Sequence, residues 1–239
     1  MRAYEENRKK AIWLGVLGGL LCLAVIGLLV FRVILWSKEN QETRLLVLVN
    51  DWNSMDSADF KVKLTKLPCG IEVDSHCAAD LEQMLSDCSI AGCDPVVIDG
   101  YRSREEQKVL YEKEYGQYIE QGKTSDEATV LAVRKVSRPG RSEHELGLSV
   151  DIVDSNYREL DEKQAETDTI KWLQENSWRY GFVLRYPEGT ESITGMIPQS
   201  WHYRYVGRKA AEQMNELGIC LEEYVQMFFS GKAVIVHAK

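Results

Sequence analysis

The hydrophobic pattern of the chain begins with a long apolar run near the N-terminus. Residues Ala11–Phe31 form 21 consecutive positions without a charged side chain, and the apolar character continues past Arg32 to Trp36. At about 1.5 Å per residue, a helix of this length spans a hydrocarbon core of roughly 30 Å. A run this long that is apolar on every face favours a membrane span over a buried core helix, and a signal peptide has a shorter apolar stretch with a small-residue cleavage site. The pattern therefore predicts one transmembrane helix over residues 11–36.

Basic residues flank this predicted helix unevenly. Four Lys and Arg residues precede it within residues 1–10, whereas those that follow are diluted by Glu39 and Glu42. Because cytoplasmic flanks carry the excess of Lys and Arg, we expect a single-pass protein of the cell membrane with a cytoplasmic tail at residues 1–10. Residues 37–66 are expected to form a stalk and a first extended segment, and residues 67–239 an extracytoplasmic domain.

Helix-like and strand-like patterns alternate in the outer domain, which predicts a single α+β domain. The clearest strand is Leu148–Val153, where apolar and polar positions alternate and Asp151 lies on the polar face. Ser103 and Glu106 have the spacing of a capping box, which predicts the start of a helix. Helices are predicted at 75–87, 103–118, 126–136, 167–180, 208–217 and 221–229, and further strands at 96–98, 182–186 and 201–206.

The charge of the chain is unevenly distributed. The chain has 29 Lys and Arg and 37 Asp and Glu residues, of which six basic and two acidic side chains lie in residues 1–38. Residues 39–239 therefore carry 23 basic and 35 acidic side chains, a formal charge of −12. A domain this acidic repels phosphate backbones, so we expect no nucleic acid partner. The sequence also lacks GxGxxG and GxxxxGK[ST], which argues against a nucleotide ligand.

Five cysteines lie outside the predicted membrane helix, and an odd number leaves at least one of them unpaired or paired with another chain. They are Cys69, Cys77, Cys88, Cys93 and Cys220. The first two and the next two are close enough in sequence to be bridged in an oxidising compartment, and the pairing stays open. No CxxC spacing occurs, so a structural zinc site is disfavoured.

Three residues near predicted strand edges have side chains suited to zinc. His144 and Asp151 lie in the run SRPGRSEHELGLSVDIVD, and His202 lies in a later strand. Two imidazoles and one carboxylate, with a fourth position open to water, are a ligand set of catalytic zinc sites. Ordinary hydrogen-bonded loop histidines are the alternative, and the run of turn residues leading into a strand favours the metal site. His76 and His237 lack such surroundings and are expected at the surface.

The outer domain contains three distinctive strings: GYRS at Gly100–Ser103, SEHELGLSVD at Ser142–Asp151 and WHYRYVG at Trp201–Gly207. Together they resemble the zinc D-alanyl-D-alanine carboxypeptidases of the VanY type, relatives of the bacterial L,D-carboxypeptidases of peptidoglycan. The resemblance runs from about residue 48 to residue 224. It implies a single-domain α+β zinc peptidase of the D-Ala-D-Ala carboxypeptidase/hedgehog-like type, with Zn²⁺ held by His144, Asp151 and His202.

The resemblance also implies a substrate and the residues that bind it. The substrate is a peptidoglycan precursor or stem peptide ending in D-Ala-D-Ala, and the activity removes the terminal D-alanine, a reaction linked to vancomycin resistance. An L,D-carboxypeptidase that trims tetrapeptides is the alternative. Arg102 is expected to hold the terminal carboxylate through two parallel hydrogen bonds, as its planar guanidinium allows. Ser142 is expected near the scissile carbonyl, and Ser103 and Gln107 in the same pocket.

One position departs from the family's pattern. Family members carry a glutamate three residues before the second histidine, as the general base, and here that position is Gln199. An amide can hydrogen-bond a water molecule but cannot take its proton, so turnover is expected to fall about 10²- to 10⁴-fold. Experimenters make this exchange to trap substrates, and because every other expected site residue is in place, we expect an inactivated version of an active enzyme. A natural, non-catalytic binder of cell-wall peptides is the alternative. Glu143 and Glu145 are expected to orient His144 or lie in solvent, not to replace the base.

Overall fold

The computed structural model describes residues 26–28, 30–32, 43–55 and 60–229. It divides into two compact units, one ending at Arg44 and one starting at Leu45. Most of the predicted transmembrane helix at 11–36 lies outside the described residues, as does His237. Among the residues that the structure does describe, no helix is both long enough and apolar enough to cross a membrane.

The second unit contains two antiparallel sheets and confirms the predicted α+β class. A small sheet pairs β1 (Leu64–Lys66) with β2 (Glu72–Asp74). The central sheet has the strand order β3–β4–β6–β5, in which β3 is Pro95–Asp99, β4 is Ser149–Asp154, β5 is Phe182–Tyr186 and β6 is Gln199–Tyr205. Strands β4 and β6 are the central pair, so side chains on the same face of these two strands lie next to each other.

Seven α-helices surround this sheet in the described part of the chain. They are α1 (Ala78–Ile90), α2 (Arg104–Glu120), α3 (Ser125–Val133), α4 (Asp168–Asn176), α5 (Glu191–Thr194), α6 (Arg208–Leu217) and α7 (Leu221–Phe229). The predicted capping box at the start of α2 is present, because Ser103 and Glu106 each accept a backbone hydrogen bond from the other. Helix α1 begins three residues later than predicted, because residues 75–77 form a turn. Asp74 stabilises this turn by accepting the backbone N–H of His76.

The two faces of the central sheet differ in chemistry. Leu148, Val150 and Ile152 pack into the main hydrophobic cluster together with Tyr203 and with Leu81 and Met84 of α1. The opposite face of β4 carries polar residues, as the alternation predicts. Such alternation is typical of a half-buried strand, but all six residues of β4 are buried. The polar face is covered by the charged and imidazole side chains of the site described below.

The segment that follows Arg44 belongs to the compact unit. Leu45 and Val49 are part of the main cluster, and Leu46 and Leu48 pack with α6 and α7 in a second cluster. The predicted domain boundary at residue 67 therefore lies inside the compact unit, which begins at Leu45. A solvated stalk cannot bury four aliphatic side chains, and this burial moves the boundary towards the N-terminus.

The five cysteines of this unit are free thiols in the structure. Cys77, Cys88 and Cys220 are buried, and burial raises the pKa of each of these thiols to about 12. A thiol in this state is a small apolar side chain and a poor nucleophile.

Candidate active site

Three backbone elements bring the predicted metal ligands together. His144 lies in a 3-10 turn over Glu143–Leu146, Asp151 lies in β4, and His202 lies directly opposite Asp151 in β6. Gly147 ends the turn with φ +67°, and a Cβ atom there would come within 3.0 Å of the backbone nitrogen of Asp74. Position 147 therefore requires glycine, because the backbone is left-handed there and a neighbouring strand comes too close for a side chain.

The ligand atoms have the spacing of one face of a tetrahedral metal site. His144 Nε2 lies 3.3 Å from His202 Nδ1 and 3.5 Å from Asp151 Oδ1, and the last two atoms are 2.9 Å apart. A tetrahedral site with bonds of about 2.0–2.1 Å has edges of roughly 3.3 Å. His144 Nδ1 is 2.6 Å from the carbonyl oxygen of Gly100, which accepts its proton and leaves Nε2 as the free nitrogen. These residues fit a zinc ion.

Burial and charge set the protonation of these ligands. All three are buried, with exposures of 2% for His144, 5% for Asp151 and 4% for His202. Burial and the nearby charge of Arg102 lower the pKa of His144. Burial alone would raise the pKa of Asp151, but the two imidazoles facing its carboxylate outweigh burial and hold the pKa well below its usual range. A neutral imidazole and a charged carboxylate are the forms that bind metal.

Arg102 is held beside this triad by neighbouring side chains. Its Nε lies 2.9 Å from Asp99 Oδ2, and its Nη1 donates to Gln107 Oε1 at 2.5 Å. Gln107 is fully buried and donates from Nε2 to the Ser137 carbonyl at 2.6 Å, so both ends of its amide are engaged. A bulge in β3 brings Asp99 opposite Asp151 in the register, and Arg102 Nη2 lies 3.8 Å from Asp151 Oδ2. These contacts hold the guanidinium group of Arg102 next to Asp151, one of the candidate metal ligands.

A cavity of about 470 Å³ opens over these residues. Its walls include the candidate ligands together with Arg102, Gln107, Ser142 and Gln199. Ser142 is buried just before the 3-10 turn. Ser103 is not among the residues that line the cavity, and its hydroxyl is used in the capping box of α2. The structure therefore brings together every predicted site residue except Ser103.

Gln199 lies on β6, three residues before His202, and is buried. Its Nε2 donates to the carbonyl oxygen of Lys135 at 3.1 Å. Because Nε2 is used in this hydrogen bond, the amide oxygen of Gln199 remains to accept a hydrogen bond from a molecule in the cavity. An amide oxygen accepts a hydrogen bond but takes up no proton near neutral pH.

Sequence reasoning missed a set of charged residues behind the triad. Glu143 is buried rather than solvated, and it faces two fully buried arginines, Arg185 and Arg204. The ring of Tyr186 lies against His202 with centroids 5.0 Å apart, and Tyr186 also lines the cavity. One signal was available, because Arg204 shares a predicted strand face with His202. The partnership of Arg185 with Glu143 joins residues 42 positions apart, which no local pattern reveals.

Comparison with known proteins fits this geometry. Residues 70–208 match the family model described as VanY, D-alanyl-D-alanine carboxypeptidase. The chain belongs to the VanY family. It is 37% identical over 180 residues to a D-alanyl-D-alanine carboxypeptidase of Enterococcus faecalis, covering 75% of this chain and 65% of that protein. It is 32% identical over 171 residues to a D-alanyl-D-alanine carboxypeptidase of Enterococcus faecium, covering 71% and 49%. The chain thus spans less than two thirds of the length of these relatives.

Several solved structures of other proteins are also similar to this chain. A variant of the vancomycin resistance D,D-pentapeptidase VanY from a VanB-type cassette, in complex with Zn(II), matches with a TM-score of 0.69 and 37% identity over 76% of this chain and 99% of that one. VanYB in complex with D-alanine-D-alanine gives a TM-score of 0.71 and 37% identity over 77% and 98%. The LdcB LD-carboxypeptidase gives a TM-score of 0.62 and 33% identity over 77% and 87%.

Proposed function

We propose that this protein is a membrane-anchored, zinc-dependent D,D-carboxypeptidase that removes the terminal D-alanine from peptidoglycan precursors ending in D-Ala-D-Ala, a reaction that serves vancomycin resistance. The observation that carries the proposal is the buried triad of His144, Asp151 and His202, with ligand atoms 2.9–3.5 Å apart. The family and the zinc and D-Ala-D-Ala complexes of its relatives support the same assignment.

The triad holds the metal and the side chains around it orient the peptide. When bound, Zn²⁺ supplies a Lewis acid for the scissile carbonyl and makes water a nucleophile near neutral pH. Arg102 binds the terminal carboxylate of the peptide, because its fixed, planar guanidinium matches two carboxylate oxygens. Its position 3.8 Å from Asp151 brings the last residue of a bound peptide next to the triad, as an exopeptidase requires. Ser142 borders the same cavity and contacts the peptide near the scissile bond.

Gln199 occupies the position of the general base and limits turnover. Its amide oxygen can orient water but cannot take a proton, so this chain binds its peptide and cleaves it about 10²- to 10⁴-fold more slowly than a form with glutamate. The alternative is a non-catalytic peptide binder with the same residues. It differs from an inactivated enzyme in one measurable respect: Gln199→Glu would not produce hydrolysis.

Similarity to LdcB favours one alternative substrate, a tetrapeptide cleaved at an L,D bond. The decisive experiment compares zinc-loaded Gln199→Glu protein on a pentapeptide ending in D-Ala-D-Ala and on the corresponding tetrapeptide ending in a single D-Ala, with released D-alanine as the readout. Faster release from the pentapeptide supports the D,D assignment. Faster release from the tetrapeptide would establish the L,D activity instead, and release from neither would leave a peptide binder.

The proposed anchor rests on the sequence of residues 11–36 and on the basic residues before it. We infer a cytoplasmic N-terminus and an outer catalytic domain. Full-length protein is expected in the membrane fraction, released by detergent but not by high salt, and protease added to intact protoplasts is expected to digest the outer domain. A full-length protein that salt extracts, or one that protease reaches only after lysis, would contradict this topology.

A further inference from the structure

A buried cluster of charges lies directly behind the candidate metal site. Glu143 Oε1 is 2.8 Å from Arg185 Nε and 2.8 Å from Arg204 Nη1, and the side chains of all three residues are at most 1% exposed. Arg185 also makes two hydrogen bonds to the carboxylate of Glu222, at 2.8 and 2.6 Å. Two carboxylates thus balance two guanidinium groups, so each charge has a partner, as burial demands.

The contacts of Glu143 leave one of its oxygens for the metal site. Both arginines approach Oε1. The other oxygen, Oε2, accepts from the hydroxyl of Ser149 at 3.3 Å and lies 3.7 Å from His202 Nε2. Arg204 is itself fixed, because its Nη2 donates to the carbonyl oxygens of Leu45 and Val47. Glu143 is therefore held in place from several sides while Oε2 faces the histidine.

His202 presents the complementary group. Its Nδ1 belongs to the triad, whereas its Nε2 is buried and has no hydrogen-bond partner among the described residues. A neutral imidazole carries one proton, so a ring that binds metal through Nδ1 carries that proton on Nε2. A buried N–H needs an acceptor, and the carboxylate of Glu143 faces it. The separation of 3.7 Å is about 0.5 Å longer than the longest ordinary N–H···O hydrogen bond.

We propose that Glu143 is a positioning residue of the metal site, which accepts the Nε2 proton of His202, fixes the tautomer that presents Nδ1, and strengthens Nδ1 as a ligand. The inference rests on the proposed zinc site and deepens it. Carboxylates that hydrogen-bond a metal-bound histidine typically contribute about 10- to 100-fold to metal affinity. The two arginines bind Oε1 of Glu143 and hold its carboxylate in place, so Glu143 contributes this affinity without becoming a ligand.

Glu145 provides a matched control for Glu143. It lies on the other side of His144 and is equally buried, but its oxygens accept from the backbone N–H of Gly140 at 2.7 Å and from Arg104 Nε at 3.3 Å. Glu222 provides the second control, because it belongs to the charge cluster without facing His202. The substitution E145Q removes a buried carboxylate and E222Q removes a carboxylate that is 12% exposed, and both leave the pair of Glu143 and His202 in place.

The test measures metal binding to the full-length protein in detergent. Metal-free wild type, E143Q, E145Q and E222Q are titrated with Zn²⁺ against a competing chelator, and the d–d absorption of the Co²⁺-substituted proteins reports the ligand field. We expect E143Q to bind Zn²⁺ about 10- to 100-fold more weakly and to shift the Co²⁺ bands. The two control variants are expected to bind Zn²⁺ with an affinity within about threefold of wild type and to show unchanged Co²⁺ bands. This expectation holds even if their thermal stability is lower.

Three outcomes would overturn the inference: E143Q with wild-type Zn²⁺ affinity, an unchanged Co²⁺ spectrum, or an equal loss of affinity in E145Q. If E143Q does not fold, E143D replaces it. The shorter aspartate keeps a negative charge beside the arginines but withdraws the carboxylate from His202. Wild-type Zn²⁺ affinity in E143D would also overturn the inference. A wild-type chain that binds no Zn²⁺ would refute the proposed function, whereas a zinc-binding wild type with an indifferent Glu143 refutes this inference alone.

Discussion

The Arg102→Ala variant is expected to lose the affinity that this chain has for a free peptide carboxylate. Within the described residues, Arg102 uses Nε for Asp99 and Nη1 for Gln107, and the remaining N–H groups of Nη1 and Nη2 can bind a ligand. The side chain is only 14% exposed, so its hydrogen bonds are weakly screened by solvent. A hydrogen bond to a charged group contributes about 1.5–3 kcal/mol. Two such bonds give about 3–6 kcal/mol, a factor of roughly 10² to 10⁴ in Kd.

The slow turnover expected of Gln199 makes this affinity measurable at equilibrium. Isothermal titration calorimetry would compare wild type and Arg102→Ala on two peptides, one ending in D-Ala-D-Ala with a free carboxylate and one with an amidated end. Wild type should bind the amide about 10²- to 10⁴-fold more weakly, whereas Arg102→Ala should bind both peptides alike. A variant that still prefers the free carboxylate as strongly as wild type would refute the assignment of Arg102.

Three further predictions concern the surroundings of the site. Gln107→Leu removes the acceptor that holds Arg102, and calorimetry should show about tenfold weaker binding of the free-acid peptide with little change for the amide; equal losses for both would contradict this role. Gly147→Ala forces a Cβ into a left-handed turn and against a neighbouring strand, so chemical denaturation should show a loss above about 1 kcal/mol; wild-type stability would refute it. Deletion of residues 1–44 should leave a cooperatively folding domain. Deletion of residues 1–66 removes four buried aliphatic side chains, at about 1.5–3 kcal/mol each, and should abolish folding. Two equally stable truncations would contradict a domain that begins at Leu45.

Local sequence patterns were sufficient for most of the central elements. Leu148–Val153 alternates clearly, and the observed strand β4 lies one residue away from that prediction. The capping box at Ser103 marks the start of α2 correctly. The three candidate ligands were found because each stands in a distinctive string, and the structure brings them within 3.5 Å of one another.

The features that sequence could not predict depend on distant contacts. Strands β1 and β2 have three residues each, too few for a period to show. The burial of Glu143 follows from Arg185, and that of Arg185 follows from Glu222, so each charge is explained only by a partner far away in the chain. The segment after Arg44 looks like an ordinary stalk, since its fate is decided by the apolar surfaces of α6 and α7 against which it packs.

The metal dependence of D-alanine release by the full-length Gln199→Glu variant tests the proposed activity most directly. We expect rapid release from a D-Ala-D-Ala-ended pentapeptide by zinc-loaded protein, complete loss after chelation, and recovery when one equivalent of Zn²⁺ is returned. His202→Ala in the same background should release none under any of these conditions. Release that survives chelation, or a zinc-loaded variant that leaves the pentapeptide intact, would contradict a zinc-dependent D,D-carboxypeptidase activity.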